Sequence, residues 1–218
     1  MRILALSDQV VESIYSADVR ERFGDVDLLL SCGDLPYSYL EYLVTMLNVP
    51  AFYVHGNHDM PEDLGQGVLL KEPRGWVNLD GRTVRAGPLL LAGLEGALRY
   101  RPNAPFQYSE GEMRRKVVRL LPALLLNRMR YGRYLDILVT HAPPLGIHND
   151  LDLPHRGFAV FRWLMERFRP RYLLHGHKHV YKPQTTRTRY GETMVVNVYP
   201  FAVLELEPGF ILHRKDRI

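Results

Sequence analysis

Short runs of Val, Ile and Leu recur along the chain at 3–6, 28–31, 51–54, 89–92, 137–140 and 172–174. Each is apolar at successive positions and bounded by turn-forming residues, which predicts strands buried on both faces. Between several of them, the stretches 16–23, 40–47, 110–130 and 158–168 have helical character, the last stopping just ahead of Pro170. Strands alternating with helices predict an α/β core containing parallel strands. After Lys182 the pattern shortens to alternating runs at 193–198, 201–205 and 210–213, which predict a terminal antiparallel meander. No internal repeat or low-complexity linker interrupts the chain, so residues 1–218 are expected to form a single domain. The Gly- and Pro-bearing stretches 60–73 and 99–108 are expected to border a cleft.

Composition narrows the function. Hydrophobic residues make up 46% of the chain, enough for a full core, and the net charge of +4 suits an anionic substrate without requiring nucleic acid. The nearest approach to a basic stripe, Met113-Arg114-Arg115-Lys116, reads as a solvated helix face, so nucleic acid is not expected as a partner. Cys32 has no second cysteine to pair with and reads as a small buried thiol. No apolar run approaches membrane-spanning length and no leader is apparent before the first strand, so a cytoplasmic protein without a membrane partner is expected. Homo-oligomerisation is left open. Trp76 and Trp163 read as packing residues.

The polar residues that interrupt this pattern fall at strand ends. Ser7-Asp8 follows the first strand, Gly33-Asp34 the second, Gly56-Asn57-His58-Asp59 the third, His141 the fifth and Gly176-His177-Lys178-His179 the sixth. In open α/β sheets ligands bind outside the carboxyl ends of the strands, so these residues are expected to converge on one patch. Their mixed oxygen and nitrogen donors suit Mn, Fe, Zn or similar divalent ions better than Ca or a thiolate zinc site. Singly, a Gly-Asp pair is most often a turn and an isolated His a buried imidazole. Five strand ends carrying such residues together are not explained that way. His148 and His155 flank Asn149-Asp150-Leu151-Asp152, which reads as a polar surface loop in preference to a second metal clip, and His175 reads as a core histidine.

Gly33-Asp34, Gly56-Asn57-His58-Asp59, His141 and Gly176-His177-Lys178-His179 resemble, in order and spacing, the blocks of the calcineurin-like metallophosphoesterase superfamily, over the stretch from Asp8 to His179. The resemblance implies a four-layered α/β/β/α sandwich of two mixed sheets flanked by helices. It also implies two divalent metal ions, with Asp34 bridging, Asp8 and His179 on the first, and Asn57, His141 and His177 on the second. The implied activity is metal-dependent hydrolysis of a small phosphorylated substrate by attack of a metal-bound hydroxide; the shared metal core does not encode ester class, and phosphodiester is slightly preferred over phosphomonoester. His58, its ring oriented by Asp59, and Asp34 are the implied catalytic groups, and Arg99, Tyr100 and Arg156 are candidates for substrate contact. One position departs from the pattern. The first block reads Asp8-Gln9-Val10, so an aliphatic residue stands where the family's histidine ligand is expected, as in a subgroup of the superfamily. The first metal site is therefore expected to be weak or empty unless water, Gln9 or Glu12 substitutes. The alternative reading is a non-catalytic binding or scaffold protein that uses the same fold.

Overall fold

The structure, a computed structural model, describes residues 1–180 and 186–206. In chain order its elements are β1 (Arg2–Leu6), α1 (Val19–Phe23), β2 (Leu28–Ser31), α2 (Tyr37–Leu47), β3 (Ala51–Tyr53), β4 (Glu62–Asp63), β5 (Leu69–Leu70), β6 (Val77–Asn78), β7 (Thr83–Ala86), β8 (Leu89–Leu94), β9 (Ala97–Leu98), β10 (Gln107–Tyr108), α3 (Glu110–Tyr131), β11 (Ile137–Thr140), α4 (Ala159–Phe168), β12 (Tyr172–His175), β13 (Arg187–Tyr190), β14 (Thr193–Asn197) and β15 (Phe201–Glu205). Two large mixed sheets run β15-β1-β2-β3-β6 and β13-β14-β12-β11-β8-β7.

Side-chain alternation along each strand explains why the sheets stack. Ile3, Ala5, Leu28, Leu30 and Phe52 of the first sheet meet Leu89, Leu91, Ile137, Val139, Leu174 and Val196 of the second in a central apolar layer. The residues between them, Leu4, Leu6, Leu29 and Tyr53, turn the other way onto Val19 and Phe23 of α1 and Leu40 and Leu43 of α2. On the far side, Leu138, Leu173 and Val195 cover Met113, Val117, Leu120 and Leu124 of α3 and Phe161, Leu164 and Phe168 of α4. The result is the expected α/β/β/α sandwich, with strands apolar on both faces because both faces are covered.

The helices begin and end where local chemistry dictates. Ser109 and Glu112 form a reciprocal capping box at the start of α3, and Gly132 closes it at φ 72°. The predicted helix at 16–23 is shorter, Val19–Phe23, whereas that at 40–47 begins earlier, at Tyr37, directly after Pro36. Two expectations need correcting. Met113-Arg114-Arg115-Lys116 is not a uniformly solvated face, since Met113 and Lys116 turn inward while the two arginines stay exposed. The terminal meander does not form either. β14 lies parallel beside β12 with β13 antiparallel on its other edge, while β15 crosses to the first sheet and pairs antiparallel with β1. Alternation says that a strand has a buried face but not which sheet supplies its neighbour, and here each sheet had an open edge. The run 210–213 lies outside the described residues. Among those residues, no helix is long and apolar enough to cross a membrane.

Candidate metal centre

The carboxyl ends of β1, β2 and β3 meet those of β11 and β12, and the residues immediately beyond them turn sharply. Asp8, Asp34 and His177 adopt positive φ of 66°, 58° and 65°, a conformation that costs a non-glycine residue about 1–2 kcal/mol and that clusters at functional sites. Glycine is required beside them. A Cβ on Gly56 would stand 2.0 Å from the Asp34 carboxylate and 2.7 Å from the His141 ring, and one on Gly176 would stand 2.4 Å from the Asp8 carboxylate.

Two backbone carbonyls decide the chemistry of the centre. His141 Nδ1 donates to the Cys32 carbonyl at 2.7 Å, and His177 Nε2 donates to the Pro154 carbonyl at 2.8 Å. A carbonyl can only accept, so in the neutral rings the protons sit on those nitrogens and the lone pairs face inward. His141 Nε2 lies 3.0 Å from His177 Nδ1, 3.0 Å from Asn57 Oδ1 and 3.3 Å from Asp34 Oδ2. Two imidazole lone pairs, an amide oxygen and a carboxylate thus converge without a donor among them. Asp34, His141 and His177 offer ligand atoms all within 4.8 Å of one another, a donor set that fits a divalent transition ion.

The electrostatics agree. Burial alone would raise the Asp34 carboxyl, but the charge and hydrogen bond of His141 and the His58 amide hold it down at about 2. Burial would lower His141, yet Asp34 and Asp8 carry it up to about 9, so in the metal-free chain a proton supplies the positive charge that the donors demand. His177, buried beside that cation, is pushed down.

The other expected ligand positions form a thinner group. Asp8 Oδ2 accepts the His177 amide at 2.9 Å, and Oδ1 stands 3.8 Å from Nε2 of the exposed His179. Val10 is half-buried and packs on the helix-side core, offering no donor. Gln9 Oε1 accepts from the Tyr199 hydroxyl at 2.6 Å, and the Tyr199 ring stacks on His179 at 4.5 Å.

Of the remaining candidates, Tyr100 reaches the centre, its hydroxyl accepting from Asn57 Nδ2 at 3.0 Å and thereby aiming Asn57 Oδ1 inward. The pairing of His58 with Asp59 takes a different form from that expected. Asp59 Oδ2 accepts the amides of Gly56 at 2.7 Å and Asp34 at 3.1 Å, shaping the loops, while His58 donates its own amide to Asp34 Oδ1 at 2.8 Å and leaves its ring exposed. Burial and the nearby Asp34 push the Asp59 carboxyl up. Arg99 is engaged elsewhere, by Glu112 at 2.8 Å and the Gln107 carbonyl at 3.1 Å. Arg156 is exposed next to His155, whose ring lies 4.9 Å from that of His177. In the loop at 149–155, Asp150, Asp152 and His155 offer ligand atoms within 4.8 Å of one another near the surface, with His155 bonded to Asp152 at 2.7 Å and Lys178 paired with Asp150. His148 instead joins the buried His175 at 2.9 Å.

Sequence reasoning missed several contributors. The carbonyls of Cys32 and Pro154 act through the backbone and carry no signal in residue type. The others belong to a network directly behind the centre. His55 Nδ1 bonds Glu95 Oε2 at 2.8 Å, and Lys116 Nζ bonds Asp80 at 2.7 Å and Glu95 Oε1 at 2.9 Å. His55 precedes Gly56-Asn57, and its carbonyl accepts the Gly96 amide at 2.8 Å, so Glu95 and Lys116 brace the loop that delivers Asn57.

A family model described as calcineurin-like phosphoesterase matches residues 1–181. No curated protein matches the chain in sequence. Among solved structures, the chain is similar to one at a TM-score of 0.62 and 16% identity, over 93% of this chain and 94% of that one. It is also similar to the protein TT1561 of Thermus thermophilus, at a TM-score of 0.58 and 18% identity, over 90% and 88% of the two chains. These are likenesses of fold.

Proposed function

Because the chain belongs to the calcineurin-like phosphoesterase family, we propose that it hydrolyses phosphate esters of small molecules at the centre formed by Asp34, Asn57, His141 and His177, diesters ahead of monoesters. The observation that carries this reading is the convergence of two carbonyl-locked imidazole lone pairs with the Asp34 carboxylate and Asn57 oxygen. A divalent ion held by Asp34, Asn57, His141 and His177 would supply an acidified water and an electrostatic sink for phosphoryl charge. Asp34 is held by the His58 amide with one oxygen turned to the histidines, and Tyr100 keeps the Asn57 oxygen on the same point. The exposed His58 ring stands beside Asp34 and donates a proton to the leaving oxygen. Arg156 meets the phosphate charge from the loop that carries Pro154, whereas Arg99 positions the segment bearing Tyr100. The group of Asp8, His179 and Asp34 lacks a donor at Val10, so it takes a second ion more weakly than the first centre takes its own.

The reading is tested by stripping the protein with chelator, restoring Mn, and following a chromogenic phosphodiester and its monoester beside Asp34→Asn. Metal-dependent turnover absent from the variant is expected, with the ratio of rates reporting ester class. No turnover with Mn, Fe or Zn would reject hydrolysis and leave a binding protein of the same fold. His58→Ala should lose turnover while keeping bound metal, and equal loss of both would remove His58 from the chemistry.

A further inference from the structure

Helix α3 buries Met113, Val117, Leu120 and Leu124 against the second sheet, yet its opposite face is apolar too. Val118, Leu125, Leu126 and Met129 are 58%, 51%, 42% and 83% exposed. With exposed Pro122, residues 118, 122, 125 and 129 recur at three- and four-residue spacing and so form one seam along the outer surface. Exposed arginines border it on both flanks, Arg114 and Arg128 on one side and Arg115, Arg119 and Arg130 on the other. Between Met113 and Tyr131 the helix contains no acidic residue. Its two glutamates stand at the N-terminus and are engaged, Glu110 by the amides of Ala159 and Val160 and by Arg114 at 3.6 Å, Glu112 by Ser109 and Arg99. On α4, which packs against α3 in the same layer, Trp163 is 44% exposed, with Arg162, Glu166 and Arg167 exposed around it.

An apolar seam of this kind wants cover, and the charge beside it selects the cover. A second copy would bring a like arginine-flanked seam against this one. A lipid surface with anionic headgroups satisfies both features, since acyl chains yield to a convex apolar ridge while phosphates lie along its flanks. We propose that the outer face of α3 docks on an anionic membrane surface. A helix lying in the membrane interface needs no spanning run, so docking of this kind is compatible with a chain in which no apolar run reaches membrane-spanning length.

The full chain, with its metal, is sedimented with vesicles of phosphatidylcholine alone and of phosphatidylcholine carrying about a third phosphatidylglycerol, at low and physiological salt. Binding to the anionic vesicles, weakened by salt, is expected, with a loss of about five-fold for each arginine removed. Leu125→Glu and Met129→Glu should abolish it. Arg115→Gln with Arg119→Gln keeps the apolar seam and guards against a folding artefact in the glutamate variants. Absence of binding at low salt, equal binding by these variants, or a dimer that Leu125→Glu dissociates would each overturn the proposal.

Discussion

Two polar clusters lie back to back, joined in the chain where Gly56 separates His55 from Asn57. Behind Gly56, His55, Glu95, Asp80, Lys116 and Tyr108 form a closed set in which carboxylates meet donors, with Lys116 between Asp80 and Glu95. In front of it, Asp34, Asn57, His141 and His177 form an open set, acceptors turned toward acceptors, with Asp34 drawing a proton onto His141. The two differ less in residue type or burial than in satisfaction. The closed cluster braces the fold because nothing in it is missing, and the open one asks for a cation because its own donors face outward to backbone carbonyls.

The open cluster is most sensitive at His177. Removing that lone pair with His177→Ala should lower turnover by at least about a thousand-fold, since a metal centre contributes several kcal/mol of transition-state stabilisation, and metal analysis should show the ion lost. Retained metal and turnover would mean that the open cluster is not the centre. Lys116→Met tests the closed cluster and should behave oppositely. Buried Glu95 and half-buried Asp80 lose their cation, so unfolding in denaturant should become easier by about 3 kcal/mol while metal content in the folded protein stays intact.

Acid should find the closed cluster as well. Burial would raise the Glu95 carboxyl, but His55, Lys116 and Tyr108 bring it down to about 2 from an ordinary 4.5. With its folded value depressed, its stabilising contribution is complete above pH 4.5 and is lost as pH falls toward about 2. Asp80, raised by burial and by Glu95, offsets part of that loss. Glu95→Gln should therefore flatten the acid limb of the stability profile, and an unchanged limb would place the acid sensitivity elsewhere. The smallest effect is expected at the join. Tyr100→Phe frees Asn57 and should weaken metal binding by about ten-fold, as loss of an orienting partner does, with stability unaltered. A titration showing full affinity would remove Tyr100 from the centre.

Much was determined by sequence alone. The buried strands 3–6, 28–31 and 137–140, the layered α/β class, and the Asp, Asn and His residues at strand ends were legible because burial demands apolar runs and ligands demand specific atoms. Val10 was legible as a missing donor for the same reason. Tertiary structure decided what depends on partners distant in the chain. It sent β15 to the first sheet, turned Lys116 inward onto Glu95, and set Arg99 against Glu112. It also set the tautomers of His141 and His177 through the carbonyls of Cys32 and Pro154, groups that every residue type possesses and that only packing can aim.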